Sequence, residues 1–456
     1  MPVPWLRSLT ALFPKDVVAT DAETLHTHSG DAWFASSMPQ AVVFPQKAED
    51  VAVLLKYANR KCLPVTARGA GRGYVGGCVP KKGGIVVSFV KMNRVLDINQ
   101  VDGVGVVQPG VITGEFQTQA RKLGLFYPPD PASLKECSLG GNVATNAGGP
   151  RCLKYGVTRH YVLGLQVALA DGTLVRVGGR TQKNKSGFDL VGIFVGSEGL
   201  LGLVTEITLR LISAPPARAV LAASFENASI AAAGVQRVLS EGFLPSALEI
   251  ADRFTLEAAR RHLGTQHLPA GNAHLLVEID GQPNSVRSEM HTLAEILQAA
   301  GALEITTAAT EADCERLWDL RREFSASLKA TGLTKLNEDV CVPRSRLVDL
   351  FDFTARLQEK HQVEIASFGH AGDGNIHVNI MADMNEPGVK KRTDLALDEL
   401  FQQIVDWGGV ITGEHGIGLA KLPWWPMAAS PELRKLHTLV KGALDPKRIL
   451  NPGKFV

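Results

Sequence analysis

The stretch Ile365-Ala-Ser-Phe-Gly-His-Ala-Gly-Asp-Gly-Asn-Ile-His-Val-Asn-Ile-Met381 predicts two β-strands joined by a tight turn. Two short apolar runs that favour strands flank the turn-forming cluster Ala371-Gly-Asp-Gly-Asn375. Because successive side chains of a strand point to opposite faces, His377 and Asn379 share one face of the second strand. His370 lies at the mouth of the turn, so the hairpin brings two imidazoles close together.

A second motif, Gly413-Glu-His-Gly-Ile-Gly418, adds a carboxylate and a third imidazole on a glycine-rich backbone. Two His and one Glu form a suitable ligand set for a divalent metal ion, and a further His beside them can act as a base. The alternative is a polar hairpin whose histidines are hydrogen-bonded to their neighbours. We favour a site, because four such groups stand in two motifs that are framed by glycine.

Length and composition fit a globular chain of two or three domains. The chain has 456 residues, of which 45% are hydrophobic and 21% charged. A net charge of +2 and the lack of any Lys/Arg run give no reason to expect nucleic-acid binding. No stretch of about 18 uncharged apolar residues occurs, so no transmembrane segment is predicted.

The cysteines and the N-terminal region predict the compartment. The six cysteines are scattered without a C-x-x-C motif, which argues against a self-contained iron–sulfur or zinc–thiolate site and for reduced thiols. Charged residues and prolines interrupt the N-terminal region, so we expect no signal peptide. For Trp5–Phe13 a capping helix is favoured over a segment lying on a membrane surface. We therefore expect a cytoplasmic protein and leave open peripheral attachment at the inner face of a membrane.

Two glycine-rich segments mark the first half of the chain. The glycines of Arg68-Gly-Ala-Gly-Arg-Gly-Tyr-Val-Gly-Gly77 match G-x-G-x-x-G, but a strand, Ile85–Phe89, follows where a Rossmann fingerprint requires a helix. A loop whose amides face a phosphate needs no helix, and the alternative is a plain hairpin loop. A second polar, glycine-rich surface lies in a long loop that begins at Tyr127 and contains Ser138–Val143 and Asn146–Gly149.

The pattern changes at Ser213-Ala-Pro-Pro216, where we place a domain boundary. Beyond it, predicted strands alternate with amphipathic helices, which indicates an α+β domain whose sheet is covered by helices on one face. After a predicted helix, Val389–Trp407, a C-terminal segment carries Glu414 and His415. The predicted domains are therefore residues 1–214, 215–407 and 408–456.

One arginine in the predicted helix Glu311–Ala330 points inward. On a helical wheel Arg321 lies about 40° from Leu317, within the apolar stripe, whereas Arg322 lies about 140° away. A guanidinium that points inward needs an anionic partner. That partner is either a structural carboxylate or the carboxylate of a substrate.

Several motifs occur in a fixed order along almost the whole chain, from about Pro39 to Lys454. They are the Arg68–Gly77 loop, Pro128-Pro-Asp-Pro131, Gly140-Gly-Asn142, Asn146-Ala-Gly-Gly149, Gly196-Ser-Glu-Gly199, the His370–Asn379 hairpin, Gly413–Gly418 and Asn451-Pro-Gly-Lys454. Together they resemble the vanillyl-alcohol-oxidase/PCMH flavoproteins, specifically the FAD-linked D-2-hydroxy-acid dehydrogenases. That branch includes the glycolate oxidase catalytic subunit, D-lactate dehydrogenase and D-2-hydroxyglutarate dehydrogenase.

The resemblance implies an α+β fold and non-covalent FAD. It implies a PCMH-type FAD-binding domain of two subdomains and an α+β cap domain, with a largely antiparallel sheet covered by helices, over the isoalloxazine. The FAD pyrophosphate would rest on the loops around Arg68–Gly77 and Ser138–Asn142. The positions that it assigns to FAD are Arg68, Gly69, Ala70, Gly71, Arg72, Gly73, Gly76, Pro128, Asp130, Ser138, Gly140, Gly141, Asn142, Gly148, Gly149, Glu198, Gly199, Gly202, Val204 and Asn451.

The resemblance also implies a metal centre and a base. His370, His377 and Glu414 match the ligands of a divalent ion, zinc or manganese, and His415 matches the base. A bound cation can hold the 2-hydroxyl and one carboxylate oxygen of the acid. An imidazole with an ordinary pKa of ~6.5 then takes the hydroxyl proton at physiological pH.

Two further residues match substrate-binding positions by the resemblance: Asn379 as a polar contact beside the metal and Arg321 as the anchor of the substrate carboxylate. Hydride passes to the flavin and the product is a 2-oxo acid. Because the chain lacks a cysteine cluster, electrons would pass to a quinone, a cytochrome, an electron-transfer flavoprotein or an iron–sulfur partner subunit. The resemblance is also compatible with a homodimer.

The chain departs from the family pattern at positions that bear on the flavin and the substrate. Arg72 and Tyr74 stand in the first loop where smaller residues are usual, and His160 stands where many relatives carry Asp. Asn337 replaces a lysine of the 2-hydroxyglutarate-type relatives, and Glu338 beside it would repel a second substrate carboxylate.

We therefore predict that small monoacids are better substrates than D-2-hydroxyglutarate. D-Lactate should be the best, followed by glycolate or D-2-hydroxybutyrate. Two rival classes are a metallohydrolase, which leaves the glycine-rich first half without a role, and a cofactor-free binding or scaffold protein, against which the intact His415 argues.

Overall fold

The computed structural model describes residues 5–264 and 270–456, which form two units, each with its own sheets and core. Unit 1 consists of Met1–Gly148, Val157–Ala214 and Glu414–Val456. Unit 2 consists of Gly149–Gly156 and Pro215–Gly413. The sequence pattern predicted boundaries after residues 214 and 407, and it gave no sign that Gly149–Gly156 belongs to unit 2.

Helices and short strands alternate along the chain. The α-helices are α1 (Leu6–Thr10), α2 (Ala22–Thr27), α3 (Ala48–Lys61), α4 (Thr113–Arg121), α5 (Leu139–Thr145), α6 (Cys152–Tyr155), α7 (Leu190–Phe194), α8 (Ala228–Ser240), α9 (Arg253–Leu263), α10 (Pro283–Ala299), α11 (Glu311–Ala330), α12 (Leu347–His361), α13 (Val389–Asp406), α14 (Trp425–Ala428) and α15 (Pro431–Leu444). Among residues 5–264 and 270–456, short 3₁₀-helices span Phe89–Lys91, Thr158–Tyr161 and Arg344–Arg346.

The strands are β1 (Val18–Ala19), β2 (Ala41–Val43), β3 (Val65–Arg68), β4 (Ile85–Ser88), β5 (Val95–Asn99), β6 (Val104–Val107), β7 (Leu125–Phe126), β8 (Val162–Ala168), β9 (Leu174–Gly178), β10 (Leu203–Arg210), β11 (Ile212–Ser213), β12 (Ala217–Phe225), β13 (Ala247–Ala251), β14 (Ala273–Gly281), β15 (Glu304–Ala308), β16 (Thr334–Cys341), β17 (Glu364–His370) and β18 (Asn375–Ala382). No helix among the described residues is both long and apolar enough to cross a membrane.

In its described part, unit 1 contains two larger sheets and a short pair of strands. The first sheet has the order β1-β2-β4-β3, with β2, β4 and β3 parallel, and the second has the antiparallel order β5-β6-β10-β8-β9. Helix α3 packs its apolar stripe, which includes Val51, Leu54 and Leu55, into the core of this unit. Leu9 of α1 is buried in the same core.

The segment Glu414–Val456 completes unit 1. A β-bridge joins Leu450 to Val65 of β3, so the last residues extend the parallel sheet. The buried ammonium of Lys441 donates hydrogen bonds to the Leu200 and Leu450 carbonyls and to Asp445. A buried lysine is tolerated because these partners satisfy its donors.

Unit 2 is built on one antiparallel sheet of seven strands in the order β15-β12-β14-β13-β17-β18-β16. The predicted hairpin forms β17 and β18 and lies near one edge of this sheet. Helices pack against both faces, whereas the sequence pattern predicted cover on one face. One face carries Phe368 and Met381 against α9 and α11, and the other carries Leu275 against α8 and α10.

The excursion Gly149–Gly156 is fastened to unit 2 by ion pairs with β14. Arg151 Nε donates to Glu278 Oε1 at 2.9 Å, and Lys154 Nζ pairs with Asp280 Oδ1 at 2.5 Å. Tyr155 Oη donates to the other oxygen of Asp280 at 2.8 Å. Because the two carboxylates are buried, these charged partners are what makes their burial tolerable.

Candidate active site and cofactor-binding loops

Two imidazoles lie together on the hairpin, as the alternation of its strands predicted. His377 of β18 stands opposite Phe368, and His370 of β17 stands opposite Asn375, so the imidazoles occupy diagonal positions on one face. The ring centroids lie 5.5 Å apart and the ring planes are nearly perpendicular. Both residues are buried, with 5% and 7% of their surface exposed.

Glu249 connects His370 to Arg321. The register of β13 and β17 places Glu249 opposite His370, and its Oε1 lies 2.7 Å from His370 Nδ1. Arg321 of α11 donates from Nε to Glu249 Oε2 at 2.6 Å, and its guanidinium lies 4.9 Å from the Phe368 ring centroid. Burial alone would raise the pKa of the Glu249 carboxyl, but His370 and Arg321 lower this pKa below its ordinary value.

Of the two partners predicted for Arg321, a structural carboxylate is therefore present. Nε and Nη2 of Arg321 both point at Glu249 Oε2. A substrate carboxylate could not fill the whole donor fork of Arg321, because Glu249 already occupies its Nε/Nη2 edge. Nη1 is the part of the fork that Glu249 leaves for another anion.

Asp339 fixes the backbone that leads to the second motif. This fully buried carboxylate accepts from Asn375 Nδ2 at 2.7 Å, from Thr412 Oγ1 at 2.9 Å and from the Gly413 amide at 2.9 Å. A side chain on Gly413 would collide with the Asn375 amide, so glycine is required where the two segments meet. Asp339 Oδ1 also lies 3.9 Å from His377 Nδ1.

Glu414 is the next residue along the chain, and its covalent link to Gly413 sets its position. Potential ligand atoms of His370, His377 and Glu414 all lie within 4.8 Å of one another. Two imidazole nitrogens and a carboxylate oxygen are a donor set that zinc and manganese accept, with coordination positions left for other ligands. The predicted ligand residues therefore fit a divalent ion.

His415, the predicted base, follows Glu414 directly. Its Nε2 lies 3.5 Å from Glu414 Oε1, and its ring lies 5.6 Å from the Tyr74 ring at an angle of 34°. Tyr74 is one of the two unusual residues of the first glycine-rich loop. This larger side chain therefore lies beside the His415 imidazole.

Asn379 lies on the same face of the sheet as the imidazoles. Its Nδ2 donates to the Ala366 and His377 carbonyls, at 2.8 and 2.9 Å, while its buried Oδ1 has no hydrogen-bond partner among the described residues. The cross-strand neighbour Asn337 also has a buried Oδ1 without a partner in the described chain. Buried oxygens without donors are costly, so both amides are suited to accept a hydrogen bond from a ligand.

Glu338 lies on the face of the sheet away from the imidazoles. It stands opposite Val378, on the face of the sheet away from His377, while Asp339 stands opposite His377. The predicted repulsion between Glu338 and a second substrate carboxylate is therefore wrong. Lys335 shares the face of Asn337, and its ammonium donates to Ser325 Oγ at 2.9 Å.

Two glycine-rich segments meet in unit 1. A side chain on Gly69 would collide with Ser138 Oγ, so the loop after β3 passes directly against the start of α5. Gly71 has a φ of +69°, a conformation that favours glycine. The second segment forms the short helix α5, with Ser138 as its N-cap, and not the long loop that was predicted.

Glu198 and Asn451 tie the C-terminal segment to these loops. The Glu198 carboxylate accepts from the Ile417 and Gly418 amides, at 2.7 and 2.9 Å. Asn451 Nδ2 donates to the Gly77 carbonyl at 3.0 Å and to the Glu198 carbonyl at 2.8 Å. Both side chains are thus engaged in holding the backbone in place.

The positions assigned to FAD by resemblance lie in unit 1, except Gly149, which begins the excursion into unit 2. Asn142 is buried and donates to Thr113 Oγ1 at 2.8 Å, so its amide supports the second segment. Arg72 is half-exposed and pairs with Glu136 at 2.9 Å.

Sequence reasoning missed Glu249 and Asp339. In Ala247-Leu-Glu-Ile-Ala251 a single carboxylate interrupts a buried apolar strand, which was a signal for a buried charge with a specific partner. Asp339 begins a similar run, Asp339-Val-Cys-Val342. Neither partner could be identified without the register of the sheet.

Comparison with known families gives two matches. Residues 214–455 match the family described as FAD linked oxidases, C-terminal domain, and residues 39–178 match the FAD binding domain family.

Curated relatives match over most of their length. The chain is 38% identical to the glycolate oxidase subunit GlcD of Bacillus subtilis, over 92% of this chain and 89% of that protein. It is 35% identical to the D-lactate dehydrogenase of Anaerostipes hadrus, over 94% and 92% of the two chains. Among solved structures, p-cresol methylhydroxylase has a TM-score of 0.80 at 19% identity and covers 98% of this chain and 95% of its own, which shows a shared fold.

Proposed function

Because this chain belongs to the FAD-linked oxidases and is an FAD-dependent oxidoreductase, we propose that it oxidises a small D-2-hydroxy acid, preferably D-lactate, to the 2-oxo acid. The grouping of His370, His377 and Glu414 within 4.8 Å carries this proposal. A metallohydrolase is set aside, because the chain is an FAD-dependent enzyme. We further propose that electrons leave to an external acceptor, since the six cysteines are scattered along the sequence without a C-x-x-C motif.

The chain's residues have defined tasks in this proposal. Bound FAD supplies a hydride acceptor, and a bound divalent ion supplies positive charge that lowers the pKa of the substrate hydroxyl. His370, His377 and Glu414 would hold that ion. His415 would take the hydroxyl proton, and Asn379 Oδ1 would accept a hydrogen bond from the substrate. Arg321 would reach the substrate carboxylate through Nη1, the edge that Glu249 leaves.

The preference for a monoacid is supported by Asn337. Its amide is uncharged and lies opposite Asn379 on the face that carries the imidazoles. An amide offers no ion pair to a second carboxylate, which would therefore lose hydration without full compensation. D-Lactate is the smallest chiral acid that satisfies this constraint, and one curated relative is named a D-lactate dehydrogenase.

Lys335 favours D-2-hydroxyglutarate as a second candidate substrate. Its ammonium is partly buried two residues from Asn337. It donates to the neutral hydroxyl of Ser325 and lies 5.6 Å from the Phe368 ring centroid, and neither group is an anion. Burial lowers the pKa of Lys335 to about 8, as expected of a desolvated ammonium. A second substrate carboxylate is one partner that this cation would accept. Glycolate, the other alternative, is favoured by the relative named as a glycolate oxidase subunit.

Steady-state kinetics with an artificial dye acceptor tests the proposal. We expect kcat/KM to be highest for D-lactate, lower for glycolate and D-2-hydroxybutyrate, and lowest for D-2-hydroxyglutarate. A clear preference for the diacid, lost in Lys335→Met, would replace D-lactate by the second candidate. Lack of turnover with every D-2-hydroxy acid, in protein that contains FAD and metal, would reject the proposed substrate class.

A further inference from the structure

We infer that Glu249 is a positioning residue, which holds His370 in the tautomer and orientation required of a metal ligand. This inference rests on the proposed function, in which His370 binds a divalent ion. It adds to that function a residue on a different strand, and it gives Arg321 a second task.

The sheet itself brings Glu249 to His370. The two residues face each other across the neighbouring strands β13 and β17, and Glu249 Oε1 lies 2.7 Å from His370 Nδ1. The other oxygen, Oε2, lies 2.6 Å from both Nε and Nη2 of Arg321. Both oxygens of the carboxylate are thus held, and 1% of its side chain is exposed.

The chemistry of the carboxylate selects one tautomer of the imidazole. An ionised carboxylate accepts hydrogen bonds and donates none, so the imidazole nitrogen that faces it must carry the hydrogen. His370 Nδ1 is that nitrogen, which leaves the lone pair on Nε2 for a metal ion. Histidine ligands commonly donate their other ring N–H to a carboxylate in this way, and loss of such a partner typically weakens metal binding 10–100-fold.

Arg321 balances the charge of the carboxylate and fixes its position. A buried carboxylate is unfavourable without an opposite charge, and Arg321 supplies that charge from α11. The guanidinium is itself held above the Phe368 ring, on the strand that carries His370. Arg321, Glu249 and His370 therefore form one connected series of contacts from a helix to the proposed ligand.

Glu278 provides a matched control within the same sheet. It is also a glutamate with 1% of its side chain exposed, and it pairs with Arg151 and Arg218. It accepts hydrogen bonds from Trp318 and Ser246, and no described contact joins it to a histidine. A variant of Glu278 therefore reports what loss of a buried ion pair does without any effect on an imidazole.

The test measures Zn²⁺ affinity by competition with a chromophoric chelator, in purified protein with FAD bound. In Glu249→Gln the amide oxygen should turn towards Arg321 and the NH₂ group towards His370, which favours the wrong tautomer. We expect Glu249→Gln and Glu249→Ala to bind Zn²⁺ 10–100-fold more weakly than the wild type. Glu278→Gln should stay within about threefold of the wild type, and all variants should keep their FAD.

The outcomes separate this inference from the proposed function. If the wild-type protein binds no divalent ion, the metal assignment fails. If it binds one ion and both Glu249 variants bind as tightly, Glu249 is a structural ion pair only and the inference fails alone. If the variants do not fold, ¹⁵N NMR of the metal-free wild type measures which ring nitrogen of His370 carries the hydrogen, and His370→Ala assigns the signal. Hydrogen on Nδ1 would support the inference, and hydrogen on Nε2 would overturn it.

Discussion

At the scale of single residues, the site depends on a few charged groups that each have a defined partner. Glu249 and Asp339 are buried carboxylates, and each accepts hydrogen bonds on both of its oxygens. One orients an imidazole, and the other holds the backbone that leads to Glu414. Substitution of such groups should act on the site more specifically than on the fold, provided that the replacement keeps their shape.

The metal ligands give the first prediction at this scale. His370→Ala and His377→Ala should each lose the divalent ion and reduce turnover to background, because two protein ligands do not hold the ion firmly. Bound FAD should remain, since the glycine-rich loops lie in unit 1. Metal analysis measures the bound ion, and flavin absorbance measures the bound FAD. His361→Ala is the control, because His361 contacts Glu399 and is not one of the proposed ligands. Full activity after complete metal removal by a chelator would contradict the assignment.

The second prediction concerns His415. His415→Asn should keep the metal, FAD and substrate binding but lower kcat by roughly two to four orders of magnitude, the usual contribution of a general base. His437→Asn in α15 serves as a control, because that histidine packs against Trp425 and Phe455. Near-normal turnover of His415→Asn would assign the base to another group.

At the scale of elements, periodicity predicted which helices and strands exist, and register decided which side chains meet. The hairpin and the inward face of α11 were predicted correctly, because alternation and helical spacing are local properties. The positions of Glu249 and Glu338 depend on how β13 and β16 pair with strands distant in sequence. A shift of one residue exchanges the faces of a strand, which is why the direction of Glu338 could not be predicted.

Lys335 of β16 gives a prediction on stability. Burial lowers the pKa of Lys335 in the folded protein to about 8, below its ordinary value of 10.5. The folded protein therefore favours the neutral amine. The stability that this amine allows is fully present above pH 10.5 and is lost as the pH falls from there through 8, where the buried group takes up a proton. Lys335→Met should raise the free energy of unfolding by about 1 kcal/mol at pH 7, and the gain should shrink towards pH 10.

Thermal unfolding at both pH values measures this difference. The exposed Lys391 of α13 offers a control, since Lys391→Met should change the melting temperature little at either pH. A gain that is the same at pH 7 and pH 10 would show that the methionine acts through packing and not through the charge.

At the scale of the whole molecule, the order of the motifs indicated the family over almost the whole chain. Its assignment to the FAD-linked oxidases is confirmed by matches that cover residues 39–178 and 214–455. The sequence could not predict that Gly149–Gly156 belongs to unit 2, because the contacts that hold this segment join residues more than 120 positions apart.

Non-covalent binding of FAD is the prediction at this scale. Acid precipitation of the purified protein should release all the flavin into the supernatant, because the segments around Gly69 and Ser138 offer mainly backbone groups. Absorbance of the supernatant and the pellet measures the two fractions. Flavin retained in the pellet would contradict the prediction. The exposed His160, which accepts from the Val157 amide, would then be tested by His160→Ala.

The return of Glu414–Val456 to unit 1 has a consequence for biosynthesis. All residues of unit 2 leave the ribosome before this segment does, so the seven-stranded sheet can form while unit 1 still lacks the strand-like partner of β3 and the buried Lys441. The later part of the sequence can therefore fold before the earlier part has its last segment. We expect the FAD-binding unit, and with it retention of the flavin, to be completed only after the seven-stranded sheet is available to form.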